Sequence, residues 1–419
     1  MVDRSATIRL VVIVLLALVG RSEAGFTIHD LGVLSPGGSS AGRAINNSGE
    51  VIGTATDANG GSLAVISPAS GHFQSIATIN ALSSYATGIS SSGDIAGTMV
   101  DATDGKVSAF SIVGNSFLKF GPLKVAGRTG GATHANGINA GGEIVGTGLI
   151  PGRVVDGVYQ PSGFPTSTAF RGSDPNSLTI INPLGTGTAN YGNGINGAGT
   201  VVGSSQISVN GPLHAFLATS GDQATDLFDR NAAGNFTNNI EGIGINDRAD
   251  VIGSGIIANR SHAYFASASG GALIDLGLMG GTSSYALGLN NLADPIVVGQ
   301  VLYGSSDSRA FLWQSSTGMI DLYSLLSASD RLTWTQLSLA GGINDFNQIT
   351  GMGIIDGQMH GFVLTPTEDS SYYQPPPLLP PHTGSTPAPP ALVMMAIGCA
   401  LVAGTVRVRR GRTSARAVA

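Results

Sequence analysis

The chain is 419 residues long, 42% hydrophobic and only 11% charged, with 62 glycines and a formal net charge of −6. The apolar content is too high for a disordered chain, and the glycines follow no collagen period. The negative balance, with no basic stripe interleaved with aromatics, argues against a nucleic-acid partner, and the only cysteine, Cys399, leaves no internal disulfide.

In chain order, Arg4 and Arg9 precede an apolar run from Leu10 to Val19, and Ser22 and Ala24 place small residues at −3 and −1. This pattern predicts a secretory signal peptide over residues 1–24, cleaved before Gly25; the apolar run is too short for a typical spanning helix. A strand of the form Phe26-Thr27-Ile28-His29-Asp30-Leu31-Gly32-Val33-Leu34 follows.

Seven copies of one phrase come next. They run from Ala44-Ile45-Asn46 to Gly53, Gly88-Ile89-Ser90 to Gly97, Gly137-Ile138-Asn139 to Gly146, and Gly194-Ile195-Asn196 to Gly203. Gly244-Ile245-Asn246 to Gly253, Gly288-Leu289-Asn290 to Gly299 and Gly342-Ile343-Asn344 to Gly351 complete the set, with neighbours 44 to 57 residues apart. A period of about 50 residues indicates a propeller or a solenoid. Within each copy, N-x-x-G suits a tight turn, because asparagine bonds its own backbone and glycine supplies positive φ. The turn joins short β-rich runs, so a hairpin is expected, and the terminal glycine signals a bulge or a close backbone approach.

Each hairpin is followed by a strand such as His214-Ala215-Phe216-Leu217 or Ala310-Phe311-Leu312-Trp313, then by one such as Ile274-Asp275-Leu276 or Ile320-Asp321-Leu322. Four short strands per unit make a propeller blade. The seventh copy stops after its third strand, at Leu364, while Phe26 to Leu34 matches the missing fourth. One terminus completing the blade begun by the other would close the ring, and an open solenoid would need polar caps. The expected fold is therefore all-β: a seven-bladed β-propeller over residues 25–366, closed by its N-terminal strand.

Residues 367–390 read as a Pro-rich, semi-rigid linker. Ala391 to Val406 is uncharged, and Arg407, Arg409, Arg410 and Arg412 follow it. Residues 391–419 are thus expected to form an apolar sorting or anchor helix with a basic, cytoplasmic tail, and 391–406 to be the membrane contact.

Candidate chemistry is sparse. Gly192 to Gly197 fits G-x-G-x-x-G but leads into a strand, where a dinucleotide site needs a helix. His214, His262 and His360 share one repeat position on separate blades, which suits a hydrogen-bonded structural role better than a shared metal. Glu50, Asp94, Glu143 and Asp250 share another position; on one rim they would be metal candidates, although acids beside turns are ordinarily solvated. Two segments, Thr56 to Gly60 and Asp101 to Gly105, read as turns, since each lacks the glutamate that ends a calcium loop. No H-E-x-x-H occurs, no catalytic residue is assigned, no enzyme is expected and no cofactor is expected. The stretch Gly148 to Pro165, with Arg153, Tyr159 and Phe164, is the expected ligand-binding loop.

The pattern D-L-G-x-x-x-G-G-x-S-S-x-A-x-G-I-N, best in Asp275 to Asn290, followed by the H-A-F-L-W pattern at Ser308 to Trp313, resembles the HAF family of extracellular bacterial repeat proteins. The tail resembles the PEP-CTERM sorting signal, a Pro motif at Pro387 and Pro389 before an apolar helix and Arg407, Arg409 and Arg410. Thr386-Pro387-Ala388-Pro389 departs from that signal by lacking its glutamate, and Leu379 to Gly384 is one residue too long for a sortase motif. The resemblance implies a surface or secreted protein processed by exosortase-like machinery, and it brings no activity. The expected function is a non-catalytic binding or structural module of the envelope or matrix, whose partner is an extracellular polysaccharide or surface protein. The alternative is a propeller glycoside hydrolase or lyase acting through paired carboxylates.

Overall fold

The computed structural model describes residues 25–374, apart from 77–78, 156–157, 220–222, 232–234 and 305–306. The expected signal peptide, the tail from 375 onward, and with it Pro387, Pro389, Arg407, Arg409 and Arg410, lie outside the described residues.

Seven antiparallel four-stranded sheets form a ring of blades. Blade 1 runs Ser40–Ile45, Val51–Thr56, Ser62–Ser67 and Gln74–Ser75 from the inside outward. Blades 2 to 6 begin at the inner strands Ala81–Ile89, Thr133–Ile138, Asn190–Ile195, Asn238–Ile245 and Ser283–Leu289, each with three further strands in chain order. Blade 7 takes Trp334–Ile343, Ile349–Ile355 and Gln358–Pro366 from the C-terminal end, and its outer strand is Phe26–Gly32. Phe26 pairs with Pro366 and Ile28 with Leu364, so the ring closes as the sequence implies.

The core lies between the sheets. The third strands insert Phe110, Phe170, Phe216, Tyr264, Phe311 and Phe362, all without exposed surface, against the adjacent blade. Burial of one such ring contributes about 1.5–3 kcal/mol, so stability is divided into repeated layers. The terminal glycine of each phrase makes this packing possible. A Cβ at Gly203 would collide with the Tyr191 carbonyl and the Phe216 ring, and one at Gly351 with the Leu339 carbonyl and the Phe362 ring.

The N-x-x-G segments form the predicted turns. Asn46 Oδ1 accepts from the backbone N–H groups of Ser48 and Glu50, and Gly49 has φ +78°. Turns from first to second and from third to fourth strand share one face, the turn face. Connections from second to third strand and from blade to blade share the opposite loop face.

Two expectations shift. Gly148 to Pro165 is not an irregular loop but mostly paired backbone: the second and third strands of blade 3 extend to Ile144–Val155 and Val158–Gly172 and pair as a long hairpin. The segment after residue 366 does not leave the domain at once. Tyr372 is 8% exposed, its ring lies 5.4 Å from Phe26, and Asn347 Nδ2 donates to its carbonyl at 2.7 Å.

Candidate functional site

The inner strands surround a channel whose waist is Ile45, Ile89, Ile138, Ile195, Ile245, Leu289 and Ile343. A chamber opens from this waist toward each face.

The turn-face chamber, about 180 Å³, is lined by the asparagines that follow the waist residues. Each asparagine that bonds its own turn also reaches the next blade. Asn139, Asn196, Asn246 and Asn290 donate from Nδ2 to the carbonyls of Asn196, Asn246, Asn290 and Asn344 at 3.3, 3.1, 3.0 and 3.5 Å. Asn344 closes the circle to Asn46 at 2.9 Å, and Asn46 reaches the Ser90 carbonyl at 3.4 Å. Serine at position 90 is too short to continue, so one link of the ring is missing. This mouth is built from side chains already engaged in holding blades together.

The acidic column lies on the same face but does not converge. Glu50 accepts from Asn46 at 2.7 Å, Asp94 from the Gly114 N–H at 2.8 Å, and Asp250 from Asn246 at 3.0 Å and the Ala268 N–H at 2.8 Å. Glu143 sits 3.6 Å from Arg171. Each carboxylate serves its own blade, and among the described residues no group of three potential ligands is placed to hold a metal.

The histidine column has the structural role expected of it. His214, His262 and His360 pair through Nδ1 with Asp226, Asp275 and Asp30 at 2.7, 3.0 and 3.0 Å, and Arg309 takes the same place opposite Asp321 at 3.5 Å. The third and outer strands of four blades are thus fastened together, and in blade 7 the fastening joins the two ends of the domain.

The loop-face chamber is larger, about 360 Å³. All seven inner strands carry a β-bulge at one position, where Arg43, Thr87, Asn136, Asn193, Ile243, Leu287 and Gly341 are the extra residues. A bulge re-aims a side chain, and here all seven extra residues line the chamber. Thr87, Asn136 and Asn193 donate to the next blade at Ala135, Gly192 and Gly242, at 2.9, 2.8 and 2.7 Å. Arg43 makes no hydrogen bond or ion pair among the described residues. Its guanidinium keeps exposed surface toward the lumen, yet the surrounding blades crowd it enough to lower its pKa.

Two residues before each bulge, nearer the loop-face opening, stand Ala41, Tyr85, His134, Tyr191, Glu241, Tyr285 and Leu339. Each is paired with the residue that follows the glycine ending each repeat's phrase. Tyr85 is 39% exposed, and its hydroxyl is 3.4 Å from His134 Nδ1 across the boundary of blades 2 and 3. Glu241 and Tyr285 line a 270 Å³ cavity between blades 5 and 6 with Asn239, Ser254 and Ser261. Burial pushes the His134 pKa down and the Glu241 pKa up. Both shifts favour the neutral form, and shifts caused by desolvation cluster at working sites.

None of these residues stands out in the sequence, because none repeats. The signal was the column itself: a position of fixed geometry whose occupants differ in every blade. The ligand residues expected from the sequence lie on the same face but farther out. Arg153 donates to Gln160 at 3.1 Å and to the Thr186 carbonyl at 2.7 Å, and the Tyr159 hydroxyl donates to the Pro151 carbonyl. Arg128 stands 5.8 Å from the Tyr159 ring centre. Arg153 and Tyr159 thus brace the hairpin, and the Phe164 side chain lies outside the described residues.

No protein-family model matches the chain, and no curated protein matches it. Among solved structures it is similar to an acylaminoacyl peptidase in complex with Z-Gly-Gly-Phe-chloromethyl ketone, with 11% identity, TM-score 0.44 and coverage of 77% of this chain and 52% of that one. A puromycin-hydrolysing peptidase from Mycobacterium tuberculosis gives 11%, 0.43, 77% and 53%. The β-propeller domain of the trilobed protease from Pyrococcus furiosus gives 12%, 0.36, 68% and 98%. The chain spans about half the length of the first two. The expectation that the chain is no enzyme does not stand: the structures it is similar to include peptidases, a likeness that gives this chain no activity and excludes none. The physical reason is that sites are grafted onto folds, and a propeller assembles its residues from several blades. At this level of similarity the likeness is one of fold, and the fold is a seven-bladed β-propeller.

Proposed function

We propose that this chain is an exported, cell-surface β-propeller that binds a carbohydrate at the loop-face mouth of its channel. The observation carrying the reading is the loop-face rim: Tyr85, Tyr191 and Tyr285 stand on the inner strands two residues nearer the loop face than the bulges, and Thr87, Asn136, Asn193 and Arg43 line the chamber. Tyrosine offers an apolar ring face together with a hydroxyl, and amides supply directional hydrogen bonds. A sugar ring presents the same pairing of C–H faces and hydroxyl edges. Support for export comes from residues 1–24, and for surface retention from the apolar stretch 391–406 with its arginines, a tail resembling one read by exosortase-like machinery.

A glycan array probed with the full-length chain, with product analysis of the bound glycans, tests the reading. Binding is expected to weaken in Tyr191→Ala while the thermal unfolding midpoint is kept. Binding that ignores substitution at Tyr85, Tyr191 and Tyr285 together would remove the mouth as the site. Cell fractionation tests location, and a cytoplasmic protein retaining Met1 would end the export reading.

A further inference from the structure

Arg43 stands apart in the loop-face chamber. Among the described residues it is the only charged side chain lining that space, and it has no partner there. The guanidinium is exposed to the lumen and unpaired, so it is free to receive an anion that enters the chamber. The planar fork of arginine matches a carboxylate through two parallel hydrogen bonds.

The rest of the chamber narrows the ligand. Polar side chains run along the arc of blades 1 to 4, from Arg43 through Thr87 and Asn136 to Asn193, whereas Ile243 and Leu287 face them from blades 5 and 6. Beside Arg43, blade 7 contributes only Gly341, where a Cβ would press on the Gly42 and Arg43 carbonyls. Blade 7 therefore brings no side chain beside the guanidinium, only close-packed backbone. One cation suits a monoanion; a phosphate cluster or nucleotide calls for several donors or a glycine-rich nest. A volume of about 360 Å³ is at the low end for ligand pockets, which run from roughly 300 to 1,000 Å³. The waist beyond it is wholly aliphatic, and that disfavours passage of a charged group.

We infer that the loop-face chamber receives the carboxylated terminal sugar of an acidic glycan, with the carboxylate on Arg43 and the ring between Asn136 and Asn193 on one side and Ile243 and Leu287 on the other. This rests on the carbohydrate reading above and adds to it a charge class and a mode of binding, by the chain end.

The test is calorimetric titration of the full-length chain with three matched oligosaccharides: one ending in a uronic acid, one with uronic acids only at internal positions, and one neutral. The terminal uronate is expected to bind tightest. Arg43→Gln should weaken it about tenfold or more, the size expected for a lost charge-assisted hydrogen bond. Arg43→Lys should recover part of the loss, and an unchanged thermal unfolding midpoint in Arg43→Gln reports an intact fold. Equal affinity for all three, or an uronate preference indifferent to Arg43→Gln, overturns the inference while the carbohydrate reading stands. Competition by sodium acetate as effective as by the terminal uronate would reduce the site to a bare anion site and also overturns it. Failure of all three to bind removes the carbohydrate reading and the inference together.

Discussion

The two mouths of the channel are made by the same seven strands and come out as opposites. At the turn face nearly every blade repeats one device: an asparagine bonds its own turn through Oδ1 and the next blade through Nδ2. At the loop face a bulge recurs in every blade, but the residues it presents are an arginine, a threonine, two asparagines, two aliphatics and a glycine. Repeated chemistry at a repeated position marks structure, because each copy satisfies the same local requirement. Varied chemistry at a repeated geometry marks a site, because a ligand lacking sevenfold symmetry has to be met differently from each side.

The largest effect should come from the closing strand, which serves both mouths at once. Removing residues 26–32 strips the outer edge of blade 7 and deletes Phe26, which has no exposed surface and packs on Tyr372. A loss of about 5 kcal/mol or more is expected, with the domain unfolding cooperatively at lower denaturant. An unchanged midpoint in a denaturant titration would show that the ring does not depend on its closure.

Next in size is a pair of substitutions that sets the faces against each other. Asn344→Ala removes acceptors for the Phe346 and Gln348 N–H groups and the donor to Asn46. It should cost about 2–3 kcal/mol, since buried groups lose their partners. Tyr191→Ala at the loop face should stay within about 1 kcal/mol while affecting ligand binding. Were the two to cost the same, the division into structural and ligand-facing mouths would be lost.

His360→Ala tests the fastening of the two chain ends. The His360–Asp30 bond is partly exposed, so about 1 kcal/mol is expected, and Asp30→Ala should give the same loss with little added in the double variant. Additive losses would mean that the two residues act separately.

The smallest effect concerns a single carboxyl away from both mouths. A hydrogen bond from Lys119 at 2.6 Å, with a further one from the Thr103 N–H, holds the Asp101 pKa at about 2. A carboxyl lowered in the folded state stabilises above its unfolded pKa, and that contribution is lost as pH falls through the folded value. Lys119→Ala should therefore raise the Asp101 pKa toward the ordinary carboxylate range in an NMR titration and move the start of acid destabilisation to higher pH. A titration that stays near 2 would transfer the effect to the backbone N–H.

Much of the fold was legible in the residues because its determinants are local. The N-x-x-G turn is satisfied within five residues, as Asn46 to Glu50 shows, and the glycine ending each phrase anticipates both the bulge opposite it and the ring above it. The pairing of Phe26 with Pro366 followed from a missing strand at one end and a spare one at the other. The histidine column was read as structural, but its aspartate partners came from a different strand and, for His360, from the far end of the chain. Gly148 to Pro165 looked like a loop because its glycines and prolines mask the strand pattern, whereas the blade 3 sheet extends through it.

What the sequence determined on its own was a count, a period and a closure, since each rests on contacts inside one repeat or on matching ends. What only the tertiary structure decided was the mouth. Arg43, Tyr85, His134, Tyr191, Glu241 and Tyr285 come one from each of six blades, separated by 42 to 57 residues, and none carries a motif. They share one face because closing the ring sets seven bulged strands around a single axis, and a placement of that kind has no trace in local pattern.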